Sequence, residues 1–413
     1  MKVPESFDLI VIGGGAAGFF GAINAVSNNP NLSILILEKT NKLLSKVSVS
    51  GGGRCNVTHH CFEPTPLSKH YPRGQKELKK LFRIFQAKDI VAWFDQRGVK
   101  LKTEEDGRMF PISDQSKTII DCFLAETDKP NIKIEKNCEV IKVDRGGGEF
   151  RIESATHKNY FSKKILIANG GSPKRSAYQW IEKLGHSLTN PIPSLFTFND
   201  SAKRFKDLMG VSVENTTVQI AGTKHKESGP ILITHWGLSG PSVIKLSAWA
   251  AQYLYQKNYE FTALVNWTDN AEDKVRSFLN SYQKEHPKQK IITHALYGLP
   301  NRLWARLCML SEIEEEKIWD EIPKKNLNRL IENLVRCEFK IKGKTTFKEE
   351  FVTCGGVRLE EINFNTMESK IVPGIYFAGE VLDIDGETGG FNFQSAWTTA
   401  WVAANSISNS LEQ

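Results

Sequence analysis

Apolar positions along the chain change their period in an ordered way. Residues 7–12 are an almost unbroken apolar run, and residues 32–38 (LSILILE) are a second. Between them, residues 16–26 are small and apolar over the length of a helix. Apolar strands joined by helices predict a parallel sheet covered on both faces. In residues 75–96, Leu78, Leu81, Phe82, Phe85, Ile90 and Trp93 recur at roughly helical spacing. They predict an amphipathic helix stopped by Gly98. Residues 116–127 predict another helix.

From Ile132 the period shortens to that of strands. Residues 132–135, 139–144 and 149–153 predict a β-meander, the last two joined by Gly146-Gly147-Gly148. Residues 164–168 (KILIA) are apolar enough to return to the sheet. Past Gly171 the texture shifts, with Pro191 and Pro193 as punctuation. Short strands (217–220, 261–265, 338–341) then mix with helices (242–255, 271–282, 302–308, 325–335). Around Val352 the Gly-rich, strand-then-helix texture returns. The expected architecture is α/β: a Rossmann-like domain with a β-meander, built from residues 1–189 and 351–413. An inserted β-rich domain with helices, residues 190–350, interrupts it and is expected to shape a substrate site.

Composition narrows the class. The 413 residues are 40% hydrophobic and 24% charged, which excludes a disordered or low-complexity chain. A chain this long buries its cores without disulfide or metal staples. The net charge of +7 is spread along the sequence. It suits an anionic ligand and does not by itself call for nucleic acid. The longest nearly apolar stretch, residues 10–23, contains five glycines and falls short of the roughly 18–20 residues of a membrane span. It also lacks the build of a signal peptide. No membrane association and a cytoplasmic location are expected. The seven cysteines are irregularly spaced without a CxxC pair, so free thiols and no metal site are expected.

The candidate chemistry begins at Gly13-Gly14-Gly15-Ala16-Ala17-Gly18, a GxGxxG run that follows the first strand and opens a helix. Gly13 permits the turn, Gly15 lets backbone approach a pyrophosphate, and Gly18 packs helix on strand. The helix start offers free N–H groups and partial positive charge to phosphates. Glu38, 20 residues after Gly18, is placed to accept from ribose hydroxyls. Two further segments point to a flavin dinucleotide. The first, Gly374 to Glu380 (GIYFAGE), is an apolar strand ending in Gly379-Glu380, suited to a ribityl chain. The helix that follows can aim the amides of Asn392, Phe393 and Gln394 at the flavin N1–O2 edge. The second is Ser50-Gly51-Gly52-Gly53-Arg54-Cys55-Asn56, a loop able to wrap the dinucleotide. Val140 is expected to meet the adenine through its backbone, and Ala168-Asn169-Gly170 to pass beneath the adenylate.

With these residues assembled, the chain resembles a family of bacterial flavoproteins in the two-dinucleotide-binding-domain superfamily. Its members are described as NAD(P)/FAD-dependent oxidoreductases or aminoacetone-oxidase-like FAD-binding enzymes. The matching runs are GGGAAG (13–18), SGGGRCNVT (50–58), THWGLSGP (234–241) and the tail from TMESK to GIYFAGEVLDIDGETGGFNFQSAWTTAW (366–401). The resemblance implies FAD contacts at Gly13, Gly15, Glu38, Lys39, the 51–56 loop, Gly379, Glu380 and 392–394. It departs after residue 171. A longer Gly-rich segment is usual in the family there, whereas this chain reads Ser172-Pro-Lys-Arg-Ser176.

The expected function is therefore FAD-dependent redox chemistry on a small or medium organic substrate, by hydride transfer through flavin N5. NADH, NADPH or O2 would be the redox partner. Disulfide reduction is disfavoured, because Cys55 and Cys61 lack the four-residue spacing and no second GxGxxG is present. His59-His60 has no evident carboxylate partner for a metal. His235, in THWGLSGP, is the candidate acid/base or substrate contact, although a structural corner is the weightier reading of that loop. Two alternatives stay open: a tRNA-modifying type of flavoprotein, and an FAD-binding regulatory protein without turnover.

Overall fold

In the computed structural model, which describes residues 5–345 and 352–412, the two N-terminal apolar runs become adjacent parallel strands. Ser6–Ile12 pairs with Ile34–Leu37, with Leu9 opposite Ile34 and Ile12 opposite Leu37. Their branched side chains suit a pleated surface buried on both faces. Five parallel strands lie side by side: Ile375–Phe377, Asn159–Ile167, Ser6–Ile12, Ile34–Leu37 and Ile132–Glu135. The short antiparallel strands Glu368–Ser369 and Ile362–Asn363 extend one edge. Helix Ala16–Asn28 is buried from Ala17 through Val26. It packs along the C-terminal helix Phe391–Leu411, so both chain ends share one layer.

Two sequence expectations change here. The segment 132–135 does not belong to the meander. It follows helix Ser116–Thr127 and crosses over to pair in parallel with Ile34–Leu37, as a strand–helix–strand unit must. The meander is Val140–Gly146, Glu149–Ser154 and Asn159–Ile167, whose second half enters the main sheet. The predicted 75–96 helix is two helices, Gln75–Leu81 and Ala87–Asp95. Gln86 is the residue before the second helix, and its backbone N–H donates to Asp89 Oδ2 at 2.7 Å while Asp89 N–H donates to the Gln86 carbonyl at 3.0 Å. That pair restarts the helix inside an apolar pattern that runs straight through.

Phe20 sits at the centre of this core. Its ring lies 4.9 Å from Trp93, 5.4 Å from Trp397 and 5.6 Å from Phe85. The polar edges of the two indoles are satisfied internally. Trp93 Nε1 donates to Asn24 Oδ1 at 3.1 Å, and Trp397 Nε1 to the Val57 carbonyl at 3.0 Å.

The chain divides into two compact units: Met1–Ser194 with Lys348–Gln413, and Leu195–Phe347. The first expected boundary, 189/190, falls inside strand Leu188–Ser194, which pairs antiparallel with Val352–Val357. The second, 350/351, lies outside the described residues. Among the described residues, the second unit carries an eight-stranded sheet. In its central strands Ala263, Val265, Phe339 and Ile341 turn inward onto a core holding Trp267, Trp304 and Trp319. The predicted 242–255 helix is interrupted at Ala250, giving Pro241–Trp249 and Ala251–Gln256. Among the described residues no helix is long and apolar enough to cross a membrane.

Truncating Phe20 removes a fully buried ring from between three aromatic partners. Phe20→Ala is expected to cost about 3–5 kcal/mol, read as a lowered urea midpoint. A loss below about 1 kcal/mol would contradict this placement of the core.

Candidate functional site

The parallel strands deliver the predicted segments to one edge of the sheet. Ser6–Ile12 runs into Gly13–Gly18, Ile34–Leu37 into Glu38, Asn159–Ile167 into Ala168–Gly170, and Ile375–Phe377 into Gly379 and Glu380. Ligands of open α/β sheets bind at such carboxyl ends. The turn is closely built. A Cβ on Gly13 would stand 2.3 Å from the Ala168 carbonyl oxygen, and one on Gly18 would stand 1.9 Å from that of Gly13. A Cβ on Gly15 would meet nothing within 4 Å, so backbone is open to a ligand there. Phe19 N–H donates to the Gly15 carbonyl. The amides of Ala16, Ala17 and Gly18 therefore have no acceptor within the helix. The first turn has neither a side-chain cap nor an acidic residue, which leaves the helix end suited to an anion.

The flanking groups are partly engaged. Glu38 Oε2 accepts from Gly14 N–H at 2.9 Å, and Oε1 accepts from Thr40 N–H and Oγ1 at 2.9 and 2.8 Å. Lys39 is exposed and Val140 is buried. Glu380 Oε1 accepts from Thr353 N–H at 2.8 Å, and Oε2 from Lys46 Nζ at 2.5 Å. Beside it, Asn169 Oδ1 and Thr353 Oγ1 are buried without a hydrogen-bond partner. Gly171 closes the gap, since a Cβ there would stand 2.4 Å from Thr353 Oγ1. Buried polar oxygens of this kind need a donor, and ligand hydroxyls would supply one.

Four of the six residues of the 51–56 segment are left-handed, with right-handed Arg54 between Gly53 and Cys55. Gly51, Gly52 and Gly53 have φ of 58, 69 and 84°, and Cys55 has φ 63°. Only glycine takes such successive values without strain. A guanidinium–carboxylate pair supports the segment. Arg54 Nη1 lies 2.5 Å from Glu104 Oε1, with the guanidinium 4.0 Å above the Phe110 ring. Asn56 lies between the Thr58 carbonyl and Gly390 N–H, 3.0 Å from each, and so ties this segment to the start of the C-terminal helix.

That helix starts at Phe391 with Gly390 as its cap and no acidic residue in its first turn. Gln394 N–H already donates to the Gly390 carbonyl. The amides without an intrahelical acceptor are those of Phe391, Asn392 and Phe393. Gln394 is buried and supports the turn, its Oε1 accepting from Thr58 Oγ1 at 2.6 Å. Asn392 braces the preceding loop through Gly386, donating to its carbonyl and accepting from its N–H at 2.9 Å. Sequence reading missed a support of this loop. Buried Asp385 receives a two-pronged contact from Arg73, with Nε to Oδ1 at 2.5 Å, and a bond from Ser194 Oγ at 2.7 Å. The one signal for it was the alternation Leu382-Asp383-Ile384-Asp385, which sets acids between apolar residues just before Gly386.

All seven cysteines are free thiols. Burial pushes Cys55 and Cys354 up to about 12, which holds both protonated at neutral pH. A Cβ on Gly355 would stand 2.5 Å from the Asn190 carbonyl oxygen, and one on Gly356 2.5 Å from that of Val381. His235 lies in the second unit, exposed at the tip of the hairpin Ile231–Ile233 and Gly237–Ser239. His59 stacks on Phe391 at 4.8 Å.

The residues present fit a dinucleotide held by two helix starts, and the profile of the HI0933-like protein Rossmann domain matches residues 7–406. The chain belongs to the HI0933-like family. It is therefore an FAD-binding flavoprotein of oxidoreductase type. Full-length relatives of this family member include the ribosomal RNA dihydrouridine synthase of Escherichia coli (strain K12). That protein is 30% identical over 98% of this chain and 98% of its own length. The ribosomal RNA dihydrouridine synthase of Haemophilus influenzae is 30% identical over 97% and 98%. The 3-dehydro-bile acid delta(4,6)-reductase of Clostridium scindens is 26% identical over 95% and 97%. Among solved structures, 3-ketosteroid delta1-dehydrogenase from Sterolibacterium denitrificans shares the fold. Its TM-score is 0.52 and its identity 11%, over 98% of this chain and 100% of that one. A flavocytochrome c3 fumarate reductase has a TM-score of 0.50 and 14% identity, over 98% and 78%.

Two outcomes follow from the HI0933-like site. Arg73→Leu leaves the Asp385 carboxylate buried and unpaired, at an expected cost of about 3–5 kcal/mol. Arg73→Leu with Asp385→Leu should recover part of it in a denaturation double-mutant cycle. Cys55 should resist iodoacetamide in the native protein at neutral pH, and Cys55→Ala should leave the rate of flavin reduction unchanged. Rapid alkylation of Cys55 would contradict its burial.

Proposed function

We propose that this chain is an FAD-dependent reductase of a carbon–carbon double bond conjugated to a carbonyl, acting on a uridine of ribosomal RNA. The observation that carries it is the full-length 30% identity to two ribosomal RNA dihydrouridine synthases. Dihydrouridine differs from uridine by two hydrogens across C5=C6, a bond conjugated to the C4 carbonyl. The name of the bile acid relative describes the same kind of bond, double bonds conjugated to a ring ketone. Both are reductions in which a hydride adds at an electron-poor carbon of a bond conjugated to the carbonyl and a proton completes the saturated bond. The charge pattern left nucleic acid a lesser alternative; these relatives favour it.

FAD, when bound, supplies the hydride from N5, with NADH or NADPH as the proposed reductant. The residues of the chain hold and tune it. The amides of Ala16, Ala17 and Gly18, after Gly13 and Gly15, take the pyrophosphate, and Glu38 the adenosine ribose. Val140 and the Ala168–Gly170 turn line the adenylate side, with Lys39 at its edge. The Gly51–Asn56 turn wraps the middle, and Gly379 with Glu380 meets the ribityl chain. The amides of Phe391, Asn392 and Phe393 place the positive end of a helix at the N1–O2 edge. Positive charge there stabilises the reduced, anionic ring. The buried thiol of Cys55 takes no part in electron transfer.

The test uses FAD-loaded protein, NADH or NADPH, and ribosomal RNA from cells lacking the gene. Nucleoside mass spectrometry should show one uridine gaining two hydrogens. If the flavin is reducible but no dihydrouridine forms with either reductant, the RNA substrate is wrong. Reoxidation by a conjugated steroid ketone under those conditions would move the substrate to a small molecule.

A further inference from the structure

The second unit carries most of the chain's excess positive charge. Residues 195–347 hold 22 Lys and Arg against 17 Asp and Glu, which is +5 of the total +7. Within that unit, the loop around residues 200–208 and the start of helix Asn301–Leu310 bring cations together, and the hairpin tip at Thr234 to Trp236 lies beside the loop.

Arginine forks fix the loop. Arg204 donates to the Glu338 carbonyl, Arg306 to the Arg204 carbonyl, and Arg302 to the Asp207 carbonyl. A carbonyl holds a guanidinium in place without neutralising it. Asp207 offsets part of the cluster, its Oδ2 2.6 Å from Arg306 Nη2, and the buried carboxylate of Asp200 lies on the same concavity. Lys203 and Lys206 stand exposed on the same loop. Among the described residues, neither has an acidic side chain within ion-pair distance. Lys203 is held at φ 51°, a costly value for a residue with a side chain.

Aromatic rings stand beside these charges. Lys203, Lys206, His235 and Trp236 line one shallow concavity. The His235 ring is exposed and meets Trp236 edge-on at 4.2 Å. The indole is fixed, Nε1 donating to Thr197 Oγ1 at 3.0 Å. The tip itself is closed by Gly237 N–H donating to Thr234 Oγ1 at 3.2 Å. An acidic protein partner would match the lysines but leave the rings unused. A single-stranded nucleic acid uses both, phosphates on cations and an unstacked base on a ring.

We infer that this face of the second unit docks RNA, with Lys203 and Lys206 taking phosphates, Arg204 and Arg302 adding to the field, and His235 with Trp236 receiving a base. The inference rests on the proposed ribosomal RNA substrate and deepens it. It also gives the THWGLSGP run a role.

The test measures binding of protein-free ribosomal RNA to FAD-loaded full-length chain by filter retention over a series of salt concentrations. Lys203→Ala with Lys206→Ala should weaken binding by about an order of magnitude and lower the slope of log K against log salt by about one to two. Lys324→Ala with Lys325→Ala removes the same charge from an exposed helix start elsewhere on the unit and should change little. His235→Ala should weaken binding with the slope unchanged, the mark of lost stacking rather than lost phosphate contact. FAD content and the rate of flavin reduction should hold in all three. Equal losses in the two lysine doubles, or none in Lys203→Ala with Lys206→Ala, would overturn the docking face while leaving the RNA substrate standing. A wild-type chain that binds no RNA at low salt would overturn both.

Discussion

The close approach of backbone to backbone at Gly13 is the constraint on which the cofactor end of the molecule depends. The Ala168 carbonyl occupies the place a Cβ on Gly13 would need, and the Gly13 carbonyl the place of one on Gly18. Strand Ser6–Ile12, helix Ala16–Asn28 and the end of strand Asn159–Ile167 are thus locked at backbone distance. With side chains excluded, the peptide groups themselves become the surface a ligand meets. The helix then starts where its unpaired amides face that surface, and no cap or acid competes for them.

The second helix start reaches the same arrangement by another route. Nothing local fixes Phe391–Leu411 against the Gly51–Asn56 turn, more than 330 residues away in sequence. Side chains do it: Asn56 with Gly390, Thr58 with Gln394, and Trp397 with the Val57 carbonyl. Each bond is buried, so each carries the penalty of an unmet partner if the other is lost. Arg73 and Asp385 serve the same end, holding the loop that enters the helix to strand Leu188–Ser194.

These two routes explain what could be read from the sequence. Contacts set by period or by a local motif were legible: the apolar strands, GGGAAG after the first of them, and a C-terminal helix from Phe391. Contacts set by distant pairs were not. Residues 132–135 carry the same alternation whether they join a meander or cross over to Ile34–Leu37, and only the preceding helix decides. The break before Ala87 hides because the apolar pattern continues through it, and only the Gln86–Asp89 pair marks it. The free amides shifted by one residue, from 392–394 to Phe391–Phe393, because the register of the first turn depends on where Gly390 is anchored.

Charge followed the same logic. As a total, +7 says little, because a linear count does not see which cations meet in space. Folding gathers Lys203, Arg204, Lys206, Arg302 and Arg306 from segments about a hundred residues apart, and a carbonyl oxygen holds each arginine, with Arg306 also paired to Asp207. The choice of acceptor matters physically. A carboxylate at each contact would have given a neutral corner of equal rigidity, whereas carbonyls give rigidity and leave more of the positive field in place. The positive groups thus differ between the two units: unpaired backbone amides at a helix start in the first, which act at close range, and fixed side-chain charges in the second, which act at longer range.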